Sequence, residues 1–218
     1  MSKKILNLYA GIGGNRELWD EVMDVSVTAV EIEKEIADIY QDRFPEDEVV
    51  VGHAQTYLRR HYKDFDFIWS SPPCPSHSHV RLMASKSEGK GSYEPVFPNL
   101  SLYEEILFLK HYFDGKWVVE NVDPFYEPMV NPTVKIHRHL LWSNFTIPEV
   151  EIDDNMSHNE RGYIKESWVD LSKYDLTHRK DKIIRNCVNP KIGEYILESA
   201  FKNKQTNLLD IQKSEVEA

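Results

Sequence analysis

Cysteine is scarce in this chain of 218 residues, occurring only at positions 74 and 187. That excludes a multi-bridge disulfide framework and fits a reducing interior. Long apolar runs are missing as well, so no segment reads as a membrane span. Met1-Ser2-Lys3-Lys4 leads straight into a strand pattern rather than a signal peptide, and the expected location is the cytoplasm. Internal repeats and low-complexity tracts are absent. Positive charge is short too: 26 Lys and Arg stand against 36 Asp and Glu, for a formal net charge of −10. This balance weighs mildly against a nucleic-acid binder, although local clustering matters more than the sum. Residues 77–90 carry His77, His79, Arg81, Lys86 and Lys90 against Glu88 alone. They read either as a basic loop able to close on a phosphate backbone or as a solvated loop.

The length suits one α/β domain with a sizeable core and a small appendage. Strands are predicted near 4–9, 25–31, 48–52, 65–70 and 116–120, with helices near 15–23, 33–43, 55–62 and 99–113. The last helix is the clearest. Leu102, Ile106, Leu109 and Phe113 recur at helical spacing, with Glu104, Glu105 and Lys110 elsewhere. Strand–helix alternation predicts a mainly parallel sheet with helices on both faces. Val134 to Trp142 reads as an edge strand or hairpin.

The most informative stretch runs Phe65-Asp66-Phe67-Ile68-Trp69-Ser70-Ser71-Pro72-Pro73-Cys74. An apolar strand is stopped abruptly by two prolines, which donate no ladder hydrogen bond. The thiol is thereby placed at the carboxyl end of a strand, where open α/β sheets gather their ligands. Taken alone, Cys74 reads equally well as a nucleophile and as a small buried hydrophobe.

Two further elements accompany it. The first strand leads into Tyr9-Ala10-Gly11-Ile12-Gly13-Gly14, a glycine turn that permits close backbone approach to a ligand at a helix N-terminus. The second strand ends in Glu31, placed to accept the hydroxyl hydrogens of a ribose or merely to face solvent. Together these point to a nucleoside-containing cofactor. Lys116-Trp117-Val118-Val119-Glu120-Asn121-Val122 then brings an apolar strand to an end at Glu-Asn. Such an acid is costly to bury unless it is paired, protonated or binding something, and a surface-loop reading stays open.

These motifs, in this order, resemble the C5-cytosine-specific DNA methyltransferases. Tyr9 to Gly14 is similar to that family's S-adenosylmethionine turn, Pro72-Pro73-Cys74 to its nucleophile motif, and Glu120-Asn121-Val122 to its cytosine-gripping motif. Arg185-Asn186-Cys187-Val188-Asn189-Pro190 is similar to the final motif, whose helix returns to close the cofactor pocket. The resemblance covers residues from about 5 to 201. It implies a Rossmann-like class I methyltransferase fold that uses S-adenosyl-L-methionine, with no metal. The implied division is a catalytic core over 1–146, a minimal target-recognition segment over 147–180, the returning helix over 181–201 and an acidic tail over 202–218.

By resemblance Cys74 adds to C6 of cytosine, Glu120 engages N3 through a protonated or shared-proton carboxyl, and Arg138 binds the base or its phosphate. Tyr9, Ala10, Gly11, Gly13, Gly14, Glu31, Ile32, His53, Pro73, Asn186 and Val188 are the implied cofactor contacts, while Cys187 reads as packing. The partner implied is duplex DNA with a flipped base; structured RNA such as tRNA is the alternative substrate, and a separate recognition subunit a further possibility. The chain departs from the family at His53, where an aspartate commonly meets the adenine amino group, and at His137-Arg138-His139, where histidines flank the arginine. A neutral imidazole can still accept the adenine hydrogen bond; a protonated one has no lone pair to offer.

Overall fold

The structure, a computed structural model, describes residues 2–86, 94–152, 169–177 and 180–202. Among the described residues seven strands form one sheet: β1 (Lys3–Leu8), β2 (Val25–Glu31), β3 (Glu48–Val51), β4 (Phe67–Ser70), β5 (Lys116–Val122), β6 (Val134–Ile136) and β7 (His139–Ser143). Their spatial order is β3-β2-β1-β4-β5-β7-β6. Neighbours from β3 through to β5 are parallel, and β7 lies antiparallel between β5 and β6. This is the Rossmann-like class I methyltransferase fold. The strand order reverses between β1 and β4, and at such a switch point the crevice beyond the strand ends holds ligands.

The helices are α1 (Trp19–Val22), α2 (Lys34–Arg43), α3 (Ala54–His61), α4 (His79–Lys86), α5 (Ser101–Tyr112), α6 (Lys180–Arg185) and α7 (Pro190–Phe201). They cover both faces of the sheet, which explains why β1 is apolar on successive residues rather than alternating. Ile5 packs with Trp19, Phe67, Val118 and Ile192 on one face, while Leu6 and Leu8 pack with Leu58, Ile68, Leu102 and Leu109 on the other. Helix α7 is capped by Asn189, whose Oδ1 accepts the Lys191 N–H at 2.9 Å, and it docks on α1. The close approach depends on Gly193. A Cβ there would lie 2.0 Å from the Asn15 carbonyl oxygen.

The expected strands and helices appear, with informative differences. The helix expected over 15–23 shrinks to α1, because the chain first makes tight turns, with Arg16 N–H donating to the Gly13 carbonyl and Trp19 N–H to that of Arg16. Val134 to Ser143 is a hairpin, its turn made by His137 (φ 52°) and Arg138. The segment expected as a basic loop after Cys74 contains α4. Strand β5 does not end at Glu-Asn but continues through Val122, with Glu120 opposite Leu141. Glu105, placed with the polar residues of its helix in the sequence, is 2% exposed. It stands three residues from Leu102 and four from Leu109, on the buried stripe itself. Most of the expected recognition segment (153–168 and 178–179) and of the acidic tail (203–218) falls outside the described residues. Among the described residues no helix is long and apolar enough to cross a membrane.

Candidate active site

Strand β4 delivers the chain to Cys74, and two neighbours hold that loop in place. Asn121 on β5 donates its side-chain amide to the Pro72 carbonyl at 2.9 Å, while its Oδ1 accepts the Val122 N–H at 3.0 Å. His77, assigned to a solvated or phosphate-facing loop in the sequence, is instead buried. Its N–H donates to the Cys74 carbonyl at 2.9 Å, and its carbonyl accepts the Phe125 N–H at 3.0 Å. Its ring Nδ1 lies 2.6 Å from the Tyr126 hydroxyl. Burial holds His77 below the ordinary imidazole range.

Glu120 and Cys74 share one electrostatic neighbourhood. The Cys74 thiol is pushed up, first by burial and then by the Glu120 charge, with its own backbone and Arg138 opposing weakly. Glu120 is 6% exposed, and burial alone would raise its carboxyl. His139, Ser71 and Arg138 together outweigh that and hold it below the usual carboxylate range. The carboxyl expected to be protonated or to share a proton at an apolar strand end is therefore held as a carboxylate against His139 in the free protein. The reason is a partner that sequence reading missed: His139 Nδ1 lies 2.6 Å from Glu120 Oε1, with His139 only 5% exposed. The antiparallel register sets Val122 opposite His139, which makes Glu120 and His139 diagonal neighbours on one face. Alternation within β7 could have shown that His139 and Leu141 share a face. Only the pairing register shows that Glu120 is on it.

Arg138 sits in the hairpin turn. It reaches the Arg185 carbonyl at 3.1 Å and places Nε 3.4 Å from His139 Nε2.

The glycine turn builds the other half of the crevice. Tyr9 (φ 56°), Gly11 (φ 56°) and Gly13 (φ 80°) are left-handed, and a Cβ on Gly13 would stand 2.4 Å from the Phe44 ring. Glu31 fastens this turn: its Oε2 accepts the Gly11 N–H at 2.9 Å, and its Oε1 accepts those of Ile32 and Glu33 at 2.8 and 3.0 Å. With two lone pairs per oxygen, Oε2 retains one for a ribose hydroxyl. A cavity of about 510 Å³ opens beside it, lined by Tyr9, Val30, Ile32, His53, Pro73 and Leu100 among others. Ile32 is half-exposed there and offers an apolar surface to a flat base. His53 occupies the N-cap of α3 without a side-chain cap bond, so its ring nitrogens remain available. These features fit a nucleoside-bearing cofactor.

Below the cavity, Glu105 accepts the Tyr9 hydroxyl and, at 2.5 Å, that of Ser70. Burial raises the Glu105 carboxyl. No spacing motif pointed to this acid, although its place on the buried stripe was available. Pro73 and Asn99 also line a second hollow of about 320 Å³ with Pro75, Ser76, Arg81 and Val96, on the side of the Cys74 loop. Ala10 and Gly14 are buried in the turn itself. Of the expected cofactor contacts, Tyr9, Ile32, His53 and Pro73 line the larger cavity, whereas Ala10, Gly11, Gly13, Gly14, Glu31, Asn186 and Val188 do not; Asn186 is exposed, and Val188 is buried with Trp19 and Ile192. Cys187 is buried, with its thiol pushed up to about 12 by burial.

A family model described as "C-5 cytosine-specific DNA methylase" matches residues 3–136. Among solved structures, the chain is similar to PH0226 from Pyrococcus horikoshii OT3, at 20% identity over 56% of this chain and 50% of that one, with a TM-score of 0.38. It is similar to a SAM-dependent methyltransferase from Agrobacterium tumefaciens at 15% identity, covering 58% and 40%, with a TM-score of 0.41. A hypothetical protein from Thermus thermophilus, TTHA0928, shows 14% identity, covering 65% and 74%, with a TM-score of 0.42. The chain thus spans half or less of the first two. The fold rests on the strand order and not on these likenesses. No curated protein matches.

Proposed function

The chain belongs to the C-5 cytosine-specific DNA methylase family, and from that premise we propose that it methylates C5 of cytosine in duplex DNA through a covalent bond from Cys74 to C6. The observation that carries this reading is the bond from the Asn121 amide to the Pro72 carbonyl at 2.9 Å, which ties the strand of Glu120 to the loop of Cys74. A thiol and a carboxylate are thereby held around one crevice, beside a cavity suited to the family's cofactor.

S-adenosylmethionine, when bound, supplies an electrophilic methyl group on a sulfonium. Its adenosine would be held by Glu31, Ile32 and His53, on the turn shaped by Tyr9, Gly11 and Gly13. Cytosine C5 is a poor nucleophile, and addition of sulfur at C6 converts the ring into an enamine-like one. In the free protein Cys74 stays a thiol because of burial and of the Glu120 charge. A flipped cytosine whose exocyclic amine donates to Glu120 disperses that charge, which lowers the cost of the thiolate where the base sits. The proton that Cys74 gives up on adding to C6 is taken up between Glu120 and N3, and the electron flow of the addition draws it to N3. Once C5 carries the methyl group, loss of H5 to water breaks the C6–sulfur bond, and Cys74 recovers its proton as N3 releases it. Residues 147–180 complete this reading as the target-recognition segment.

The test is a duplex carrying 5-fluorocytosine, in which loss of the C5 substituent is blocked. Wild-type protein with S-adenosylmethionine should form an adduct that survives denaturing electrophoresis, and Cys74→Ser should form none. Labelled methyl groups should enter duplex DNA rather than total tRNA. Absence of the adduct, or methylation by the serine variant, would overturn the proposal.

A further inference from the structure

The mechanism above leaves His139 without a task. Its ring lies between two groups that define its state. Nδ1 is 2.6 Å from Glu120 Oε1, and Nε2 is 3.4 Å from Arg138 Nε. Arginine is always a donor, so the nitrogen facing it keeps its lone pair. Nδ1 then carries the hydrogen that points at the carboxylate. Arg138 is itself held from behind by the Arg185 carbonyl at 3.1 Å. The remaining charged side chains of this hairpin and strand end, Lys135 and Asp123, pair with each other at 2.6 Å.

We propose that His139 is a positioning residue for Glu120: set in one tautomer by Arg138, it takes Oε1 and thereby presents Oε2 to N3 of the cytosine. This rests on the reading that Glu120 grips the base, and it goes beyond it by assigning Arg138 to the imidazole rather than to the substrate. A carboxyl with both oxygens free can rotate about its last torsion, whose wells are broad. A 2.6 Å bond to one oxygen removes that freedom and keeps the other aimed, so proton exchange with N3 needs no reorganisation. The bond also persists through the reaction. When the Glu120 proton passes to N3, Nδ1–H still donates to the carboxylate that remains, and no proton leaves the imidazole.

The experiment is a double-mutant cycle read by single-turnover adduct formation on the 5-fluorocytosine duplex, with cofactor affinity and thermal midpoint measured alongside. His139→Leu should slow adduct formation by about 100-fold with unchanged cofactor affinity, since Glu120 loses its alignment. His139→Asn, whose amide N–H falls near the place of Nδ1, should recover to within about tenfold of wild type. In a Glu120→Gln background His139→Leu should cost no more than about threefold, because groups that act as a unit are not additive. Arg138→Met gives a second route that leaves the imidazole in place: freeing Nε2 admits the other tautomer, with a loss of about tenfold that also vanishes in Glu120→Gln. Wild-type rates in His139→Leu, or equal losses with and without Glu120, would overturn the inference while leaving the methylation reading intact. If wild-type protein makes no adduct, both fall together.

Discussion

The Glu120 carboxylate helps to hold the Cys74 thiol up, while His139 helps to hold the Glu120 carboxyl itself down. Two strands make this possible. β4 and β5 are parallel neighbours with Ser70 opposite Val119, so Glu120 follows immediately on β5 where the prolines divert the other chain. Four expectations follow from this site and its supports.

Removing the Glu120 charge should ease ionisation of Cys74. Glu120→Gln deletes a negative neighbour, which stabilises the thiolate, lowers the thiol's ionisation range and speeds alkylation at any pH below that range. Iodoacetamide labelling followed by mass spectrometry from neutral to alkaline pH reads this. Cys187, pushed up to about 12 and buried, should stay unlabelled until the protein unfolds. A Cys74 rate unchanged by Glu120→Gln would show that the two groups are not coupled.

Asn121 is buried and satisfies both the Pro72 carbonyl and the Val122 N–H. Asn121→Leu leaves both backbone groups without that partner, at a cost of about 1–3 kcal/mol each where water cannot replace it. Because the loop of Cys74 is released while the glycine turn is untouched, the rate of methyl transfer should fall steeply with cofactor affinity retained. Urea unfolding and calorimetry separate the two effects.

Glu105 carries a pH dependence of definite sign. Its folded-state carboxyl is raised by burial, so the stability it contributes is complete below the ordinary glutamate range. That contribution is lost as pH rises through the folded value. Glu105→Gln keeps the shape and the partners Tyr9 and Ser70 but does not titrate. The difference in thermal midpoint, variant minus wild type, should therefore become more favourable to the variant as pH rises from about 4 to 8. A difference independent of pH would mean that the Glu105 carboxyl ionises over the same range folded and unfolded.

His53 lines the cavity and makes no side-chain cap bond at the start of α3. His53→Asp replaces it with an obligate acceptor, so S-adenosylmethionine should bind tighter by about 1 kcal/mol, the worth of one net hydrogen bond. Calorimetric titration checks this. Unchanged affinity would mean that the ring does not meet the adenine amino group.

Where the sequence was legible, the cause was local. Prolines at 72 and 73 end β4 whatever lies elsewhere, and the left-handed turn at 11 and 13 needs glycine because of its own backbone angles. The stripe from Leu102 to Phe113 specifies a helix through spacing alone. From such segments the strand–helix alternation, the glycine turn and the placement of Cys74 could all be read.

What the tertiary structure decided depends on pairs distant in the chain. His139 meets Glu120 through the β5–β7 register, Glu105 meets Tyr9 across 96 residues, and His77 is buried against Tyr126 from a segment that looked solvated. The ionisation of Glu120 and of Glu105 follows from desolvation balanced against specific partners, and neither quantity exists until the chain has folded. The sequence by itself therefore determined which chemical groups stand at the strand ends. The fold decided their protonation, their aim and which of them act together, because those properties belong to contacts and not to residues.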